Sequence, residues 1–190
     1  MQTNFETSRT SKLVMTAMTM CMIMVAIFLL RVPIPFTQGY LNLSDAIIFI
    51  GILVLGVRYG AIAAALGSML GDIVGGFAMW APWTFCIKGG MAIIAGLLIC
   101  SLCKRNDLSE KKFTVLETCA MIAAGLFMVF GYFIAEGVMY GSWVVAGLGV
   151  PWNIGQFCVG IALALVLTES LKKTSFRKYF IYRRESIRHE

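Results

Sequence analysis

The chain has 190 residues, of which 59% are hydrophobic and only 14% are charged, and its formal net charge is +6. Soluble domains carry roughly 45–50% apolar and about 25% charged residues, and a domain this small has no interior that would hide the excess. The composition therefore argues against a soluble fold, a disordered chain and a disulfide scaffold, and it indicates a polytopic membrane protein. Because membrane proteins place basic residues beside their spans, the positive charge does not imply nucleic acid binding.

Three apolar blocks follow one another along the chain, at residues 13–30, 46–103 and 118–168. A helix needs about 20 mostly apolar residues to cross a bilayer, so the first block has the length of one span. The second block is long enough for three spans and the third for two. The sequence therefore predicts an all-α membrane protein with six transmembrane helices, and four spans would leave one segment far too long.

Basic residues set the expected orientation of these spans. Short loops rich in Lys and Arg remain in the cytoplasm. Each of the segments 1–12, 104–112 and 171–190 has more Lys and Arg than Asp and Glu. An even number of spans must separate each pair of cytoplasmic segments, which six helices satisfy with an inner turn at Arg58. We expect a cytoplasmic N-terminus at 1–12, one six-helix transmembrane domain at 13–170 and a basic cytoplasmic tail at 171–190.

The sequence lacks the motifs of enzymes, nucleotide sites and metal sites. The single histidine, His189, is the second residue from the C-terminus, which argues against membrane enzymes that use histidine as a base or metal ligand. Cys100 and Cys103 have no second pair of metal ligands nearby, and no Gly-x-x-x-x-Gly-Lys-Ser/Thr loop is present. We expect no enzymatic activity, no cofactor and no metal.

Four ionisable side chains fall inside the predicted spans, in their outer halves: Asp45, Asp72, Lys88 and Glu136. Such groups are costly in a membrane and usually face a partner or a cavity. Asp72 and Lys88 flank one predicted outer turn at similar depth, so they are placed to form an ion pair, and Asp45 is placed to cap its helix. These charges are therefore either structural or part of a binding site.

Polar and aromatic residues collect at the same predicted outer side. Asn153 and Gln156 share one face of the last helix, and the predicted outer turns contain all four tryptophans, which are Trp80, Trp83, Trp143 and Trp152. Tryptophans at this depth form an aromatic belt or a platform on which a flat ligand stacks. Together with the charges, they indicate a small-molecule pocket open to the outside.

Small residues recur at helical spacing in two of the predicted helices. Ala17 and Cys21 lie four residues apart on the first helix, and Ala61 and Ala65 lie four apart on the third. This spacing lets membrane helices approach closely. It is explained either by packing inside the bundle or by an outward face that contacts another membrane protein.

Five short motifs follow one another between residues 42 and 96. They are Asn42-Leu-Ser-Asp-Ala46, Gly56-x-x-Tyr59-Gly60, Gly67-Ser-x-x-Gly-Asp72-x-x-Gly-Gly76, Pro82-x-Thr84 and Lys88-Gly-x-x-Ala-x-x-Ala-Gly96. In this order the chain resembles the substrate-binding S component of an energy-coupling-factor (ECF) vitamin transporter, in the branch of riboflavin, hydroxymethylpyrimidine and pyridoxine types. The Ala-x-x-x-Ala signature of that family's first helix appears here as Ala17-x-x-x-Cys21.

The resemblance implies a six-helix bundle in a bacterial plasma membrane. It would capture a small water-soluble vitamin or precursor from outside, with hydroxymethylpyrimidine or pyridoxine favoured and riboflavin next. The resemblance further implies docking on a membrane T subunit that is driven by two cytoplasmic ATPase subunits, with no cofactor of its own and no nucleic acid partner.

On this reading, the ligand lies between the outer ends of the last three helices, beneath the first outer loop. The residues expected to bind it are Tyr40, Asn42, Asp45, Asp72, Trp83, Lys88, Glu136, Trp152, Asn153 and Gln156. Lys88 and Glu136 are the strongest candidates, because each is an ionisable group whose burial requires a partner. The residues expected to dock the partner subunits are Ala17, Cys21, Ala61 and Ala65.

Two other functions compete with this one. A stand-alone small secondary transporter or channel would use Glu136 or Asp72 as a proton-coupled site, although the two halves of the sequence show no convincing inverted repeat. A structural membrane protein would bind no ligand and would pair all four charges internally. Only the S component requires ATPase partners, and ligand titration separates the structural protein from the other two.

Overall fold

The computed structural model describes residues 9–34, 39–103, 110–174, 176, 179 and 180. Residues 1–8 of the predicted N-terminal segment, most of the basic loop 104–112 and most of the tail 171–190 lie outside the described residues.

The described residues form five long helices and one very short β-hairpin. The helices are α1 Arg9–Leu29, α2 Ser44–Val74, α3 Ala81–Cys103, α4 Glu110–Tyr140 and α5 Trp143–Lys172, and the antiparallel strands β1 Val32–Pro33 and β2 Tyr40–Leu41 lie between α1 and α2. All five helices are long and apolar enough to cross a membrane. Helices satisfy their backbone hydrogen bonds internally, as a bilayer requires. The predicted all-α membrane fold is confirmed, with five long helices among the described residues where the sequence analysis expected six.

Helix α2 does not run straight, because Gly56 interrupts it. Gly56 has φ 75° and ψ −178°, a combination that is essentially restricted to glycine. A Cβ on Gly60 would lie 3.0 Å from Cα of Ile52, whereas residues eight apart in a straight helix are separated by about 12 Å. The chain therefore reverses at Gly56, and α2 consists of two arms, 44–55 and 57–74. The reversal lies two residues before Arg58, which is exposed.

The reversal gathers particular helix ends at one end of the bundle. Successive helices alternate in direction when the two arms of α2 are counted separately. One end of the bundle therefore contains the last residues of α1 and α4, the first residues of α3 and α5, and both ends of α2. We call this the pocket end. The opposite end has the exposed Arg9, Arg58 and Lys173.

Glycines let α1 and the second arm of α2 pack at backbone distance. A Cβ on Gly67 would lie 3.1 Å from Cα of Met20, and one on Gly71 would lie 2.6 Å from Cδ1 of Ile27. Small residues allow this approach in a membrane, where hydrophobic burial does not drive helices together. The Gly67-x-x-x-Gly71 spacing therefore serves packing inside the bundle.

The four predicted docking residues differ in their exposure. Ala17 and Cys21 are exposed on the outer face of α1, and Ala61 is half-buried. Ala65 is buried, and a Cβ on Gly89 of α3 would lie 3.1 Å from its Cβ. Ala65 therefore packs against α3, which fits the alternative that this spacing serves packing inside the bundle.

A tight turn joins α4 and α5 and fixes their relative depth. Gly141 has φ 63°, in the region that favours glycine, and the Ser142 hydroxyl accepts a 3.4 Å hydrogen bond from the Val145 amide at the start of α5. The end of α4 and the start of α5 therefore lie side by side at the pocket end.

The backbone at Gly56 gives a stability test. Gly56→Ala should lower the free energy of unfolding by about 1–3 kcal/mol, because a Cβ is strained at this φ and ψ. The measurement is the melting temperature of the purified protein in detergent. Gly155→Ala is the matched control, since a Cβ there meets nothing within 4 Å in a regular helix. Equal melting temperatures for the two variants would contradict a chain reversal at Gly56.

Candidate functional site

A pocket with an empty volume of about 450 Å³ lies at the pocket end. Every helix contributes to its lining, together with the loop that carries β1 and β2. Seven of the ten predicted binding residues line it: Tyr40, Asn42, Asp72, Lys88, Glu136, Asn153 and Gln156. An eighth, Asp45, is fully buried and contacts Lys88 and Gln156. The structure thus brings most of the predicted residues into one site.

Trp83 and Trp152 are absent from the lining of this pocket. Trp152 is 41% exposed on the outside of α5. Trp83 is half-buried and lies five residues before Lys88, which places it about 140° away around the axis of α3. Neither of these two indoles therefore faces the described pocket, where one of them was expected to stack on a ligand ring. Their positions fit the alternative of an aromatic belt at the membrane interface.

The aromatic side chains in the pocket are instead Trp80 and Tyr132, with Tyr40 from the loop. Trp80 is buried, and its ring centroid lies 6.2 Å from that of Tyr132. Tyr132 is four residues before Glu136 on the same face of α4, a spacing that would have identified it. Ser68 and Thr84 also line the pocket, and both belong to the motifs noted in the sequence.

Lys88 and Asp45 form a buried ion pair at the base of the pocket. Their side chains are 1% and 0% exposed, and Nε2 of Gln156 donates to Oδ2 of Asp45 at 3.0 Å. Lys88 Nζ also lies 3.0 Å from the sulfur of Met128. This network connects α2, α3, α4 and α5.

The expected pairing of Asp72 with Lys88 is therefore wrong, as is the expected capping role of Asp45. The first turn of α2 lies at the depth of Lys88, so Asp45 meets the ammonium and its carboxylate does not cap the helix. Asn42 interacts with that turn instead, since its Oδ1 accepts a 3.0 Å hydrogen bond from the Ser44 amide.

Asp72 accepts a hydrogen bond from the hydroxyl of Tyr40, which ties the loop to the second arm of α2. Burial, reinforced by the nearby Asp72 carboxylate, raises the pKa of Tyr40 well above its usual value, so the phenol keeps its proton and remains a donor. The loop is also tied to α5, because the Asn42 amide donates to Oε1 of Gln156 at 3.0 Å. The two bonds attach the loop to α2 and to α5.

Three polar atoms of the pocket lining are buried and lack a hydrogen-bond partner among the described residues. They are Oε2 of Glu136, Nε1 of Trp80 and Oγ of Ser68. A buried polar group without a partner costs about 1–3 kcal/mol, so such groups are rare in folded proteins unless they serve a function. An acceptor, a donor and a hydroxyl on residues that line one pocket suit a polar organic ligand.

Gly149 of α5 makes room for the carboxylate of Glu136. A Cβ at this position would lie 2.3 Å from Oε2, which is far inside the van der Waals distance. Glu136 itself is 2% exposed. The position of this carboxylate therefore depends on the absence of a side chain on the facing helix.

Comparison with known proteins places the chain among transporter components. Residues 7–173 match the family described as ECF-type riboflavin transporter, S component. The thiamine precursor transporter HmpT of Lactococcus lactis subsp. cremoris (strain MG1363) is 32% identical over 149 residues, which are 78% of this chain and 80% of HmpT. An uncharacterized protein in gap 3′region of Pyrococcus woesei is 33% identical over 117 residues, 62% of this chain and 72% of its own.

A solved structure shares the fold. It is described as that of the S component of a bacterial ECF transporter, and it superimposes with a TM-score of 0.67 over 86% of this chain and 96% of its own. The sequence identity is 19%, so this likeness concerns the fold alone.

The buried ion pair predicts a non-additive mutant series. Lys88→Met should destabilise the protein by about 3–5 kcal/mol, because it leaves the Asp45 carboxylate buried without its counterion. The double variant Lys88→Met with Asp45→Leu should regain most of that loss. The measurement is unfolding of the three variants and wild type in detergent. Additive losses in the double variant would show that the two groups do not depend on each other.

Proposed function

Because the chain belongs to the family of ECF-type riboflavin transporter S components, we propose that it captures a small water-soluble vitamin or precursor for an ATP-driven importer. Members of this family are transport components and not enzymes. The observation that carries the proposal is the pocket lined by Glu136, Trp80 and Ser68, each of which has a buried polar atom with no hydrogen-bond partner among the described residues. These atoms provide the hydrogen bonds that a polar heterocycle needs when it leaves water.

We propose six membrane crossings, with both arms of α2 counted as spans. The second arm, 57–74, is about 27 Å long at 1.5 Å per residue, and the first, 44–55, is about 18 Å long. Arg9, Arg58 and Lys173 at the far end favour a cytoplasmic location for that end and for both termini. The pocket then opens to the outside of the cell, where a nutrient is captured.

The preferred substrate in this proposal is hydroxymethylpyrimidine or pyridoxine, with riboflavin next. The relative HmpT is named a thiamine precursor transporter, which favours the first. The rings of Trp80 and Tyr132 supply flat apolar surface, and Glu136 accepts from an amino or hydroxyl group.

The partners in this proposal are a membrane T subunit and two cytoplasmic ATPase subunits. The sequence has no phosphate-binding loop of its own, so uphill uptake requires external ATPases. The exposed outer face of α1 is the proposed docking surface, with Ala17 and Cys21 flanked by Met18 and Met22, which are 61% and 53% exposed. Methionine side chains adapt to changing contacts.

A ligand screen tests the proposed function. Purified protein in detergent is titrated with hydroxymethylpyrimidine, pyridoxine and riboflavin, and the melting temperature and calorimetric heat are recorded. We expect one of the first two vitamins to give the largest stabilisation, because a ligand that binds the folded state raises its stability. Tightest binding of riboflavin would change the proposed substrate to riboflavin. Binding of none of the three vitamins would refute the proposed function.

A matched pair of glycine variants shows whether binding occurs in this pocket. Gly149→Ala should weaken binding about tenfold to a hundredfold, because the new Cβ displaces the Glu136 carboxylate from its hydrogen bond to the ligand. Gly147→Ala, two residues away on the same helix with nothing within 4 Å of its Cβ, should bind like wild type. Equal binding by both variants would place the ligand elsewhere.

The docking surface predicts a separate phenotype. Ala17→Trp should leave ligand affinity unchanged and abolish uptake by cells, because the bulky ring blocks close helix contact on the face of α1 that points away from the pocket. The measurements are calorimetric affinity and accumulation of labelled vitamin. Val115→Trp on α4, where the native side chain is already 61% exposed, is the control and should support uptake. Uptake by Ala17→Trp at the wild-type rate would remove α1 from the proposed interface.

A further inference from the structure

Acidic side chains outnumber basic ones around the pocket. Asp72, Lys88 and Glu136 line it, and Asp45 lies directly behind Lys88. Three carboxylates thus lie near one ammonium, and the formal charge of these four side chains is −2 when all of them are ionised. Charges in a water-poor interior interact strongly, so the imbalance bears directly on which ligands can enter.

The ammonium of Lys88 is engaged by the protein and not offered to the ligand. It forms the buried ion pair with Asp45 and contacts the sulfur of Met128 at 3.0 Å. To bind an anion, Lys88 would have to leave Asp45, and the carboxylate would then remain buried without a counterion. That exchange is costly, because uncompensated charges are poorly tolerated in the interior.

Among the described residues, Arg31 is the other cation near this end of the bundle, and it is not part of the pocket lining. Its guanidinium lies 4.4 Å from the ring centroid of Phe28 and 5.1 Å from that of Tyr40, and Nη1 donates to the Gly75 carbonyl at 3.2 Å. Nε and Nη2 of Arg31 are buried without a hydrogen-bond partner among the described residues. Even when it is counted, the formal charge of the region is −1.

From these observations we infer that the pocket is a charge filter: it admits neutral or cationic heterocycles that donate a hydrogen bond to Glu136 and rejects phosphorylated or carboxylated forms of the same vitamins. This inference rests on the proposed function and specifies its substrate class. A phosphate ester carries about −1.5 to −2 charges near neutral pH. Placed beside Glu136 and Asp72, it would meet like charge with no free cation in the described lining.

The test compares each vitamin with its own monophosphate ester on the full-length wild-type protein in detergent. Hydroxymethylpyrimidine, pyridoxine and riboflavin are titrated beside their phosphates. We expect the ester of the preferred vitamin to bind at least about tenfold more weakly, since like-charge contacts in an interface are costly. A smaller difference overturns the charge filter and leaves the proposed function standing. Binding of no vitamin at all overturns the proposed function and this inference with it.

Two conservative variants separate charge from size. Glu136→Gln and Asp45→Asn each remove one negative charge with little change in shape, and Asp45→Asn also frees Lys88 to meet a phosphate. We expect the ratio of ester Kd to vitamin Kd to fall about tenfold or more in each. Glu169→Gln, which removes a charge from a 54% exposed side chain near the opposite end, should leave the ratio unchanged.

The Glu136→Gln ratio decides the question if Asp45→Asn does not fold. An unchanged ratio in Glu136→Gln shows that esters are excluded by their size, and it overturns the charge filter. A ratio that falls equally in Glu169→Gln shows a general effect of net charge, and it overturns the filter as well.

Discussion

A buried ammonium in a membrane interior needs a partner, and Asp45 provides one for Lys88 at the base of the pocket. The pair fixes the depth at which α2 begins relative to α3. Gln156 links α5 to this pair, because its side-chain amide donates a hydrogen bond to the Asp45 carboxylate. Since its Oε1 accepts from the Asn42 amide, the outer loop is placed by the same network. The walls of the pocket are therefore positioned by one charged pair and its amide neighbour.

The unequal arms of α2 explain why a cavity exists above that pair. The first arm, 44–55, is six residues shorter than the second, 57–74, which corresponds to about 9 Å of helix. Because both arms meet at Gly56, the shorter arm begins deeper in the bundle. The β-hairpin loop reaches down to it and closes the side of the space so formed. A straight helix over the same residues would leave Asp45 and Asp72 about 40 Å apart and would form no such site.

The sequence predicted the apolar spans and the convergence of intramembrane charges, because hydropathy and the cost of buried charge depend on residue type alone. It did not predict which carboxylate pairs with Lys88, since that depends on the depth at which α2 begins. Pocket and belt tryptophans also look alike in sequence: Trp80 and Trp83 are three residues apart, yet Trp80 lines the pocket and Trp83 does not. Packing of Gly149 against Glu136 has no sequence signal, because it joins two helices across the bundle.

The second arm of α2 lies between α1 and the pocket, with one face packed against α1 and a neighbouring face lining the pocket. Gly67 and Gly71 contact Met20 and Ile27 of α1, while the next residue in each case, Ser68 or Asp72, lines the pocket. Close-packed helices transmit displacement because their interfaces do not compress. A movement of this arm that repositions Ser68 and Asp72 must therefore also move the surface on which α1 rests. The pocket and the outer face of α1 are separate surfaces, but the second arm of α2 contacts α1 and also lines the pocket.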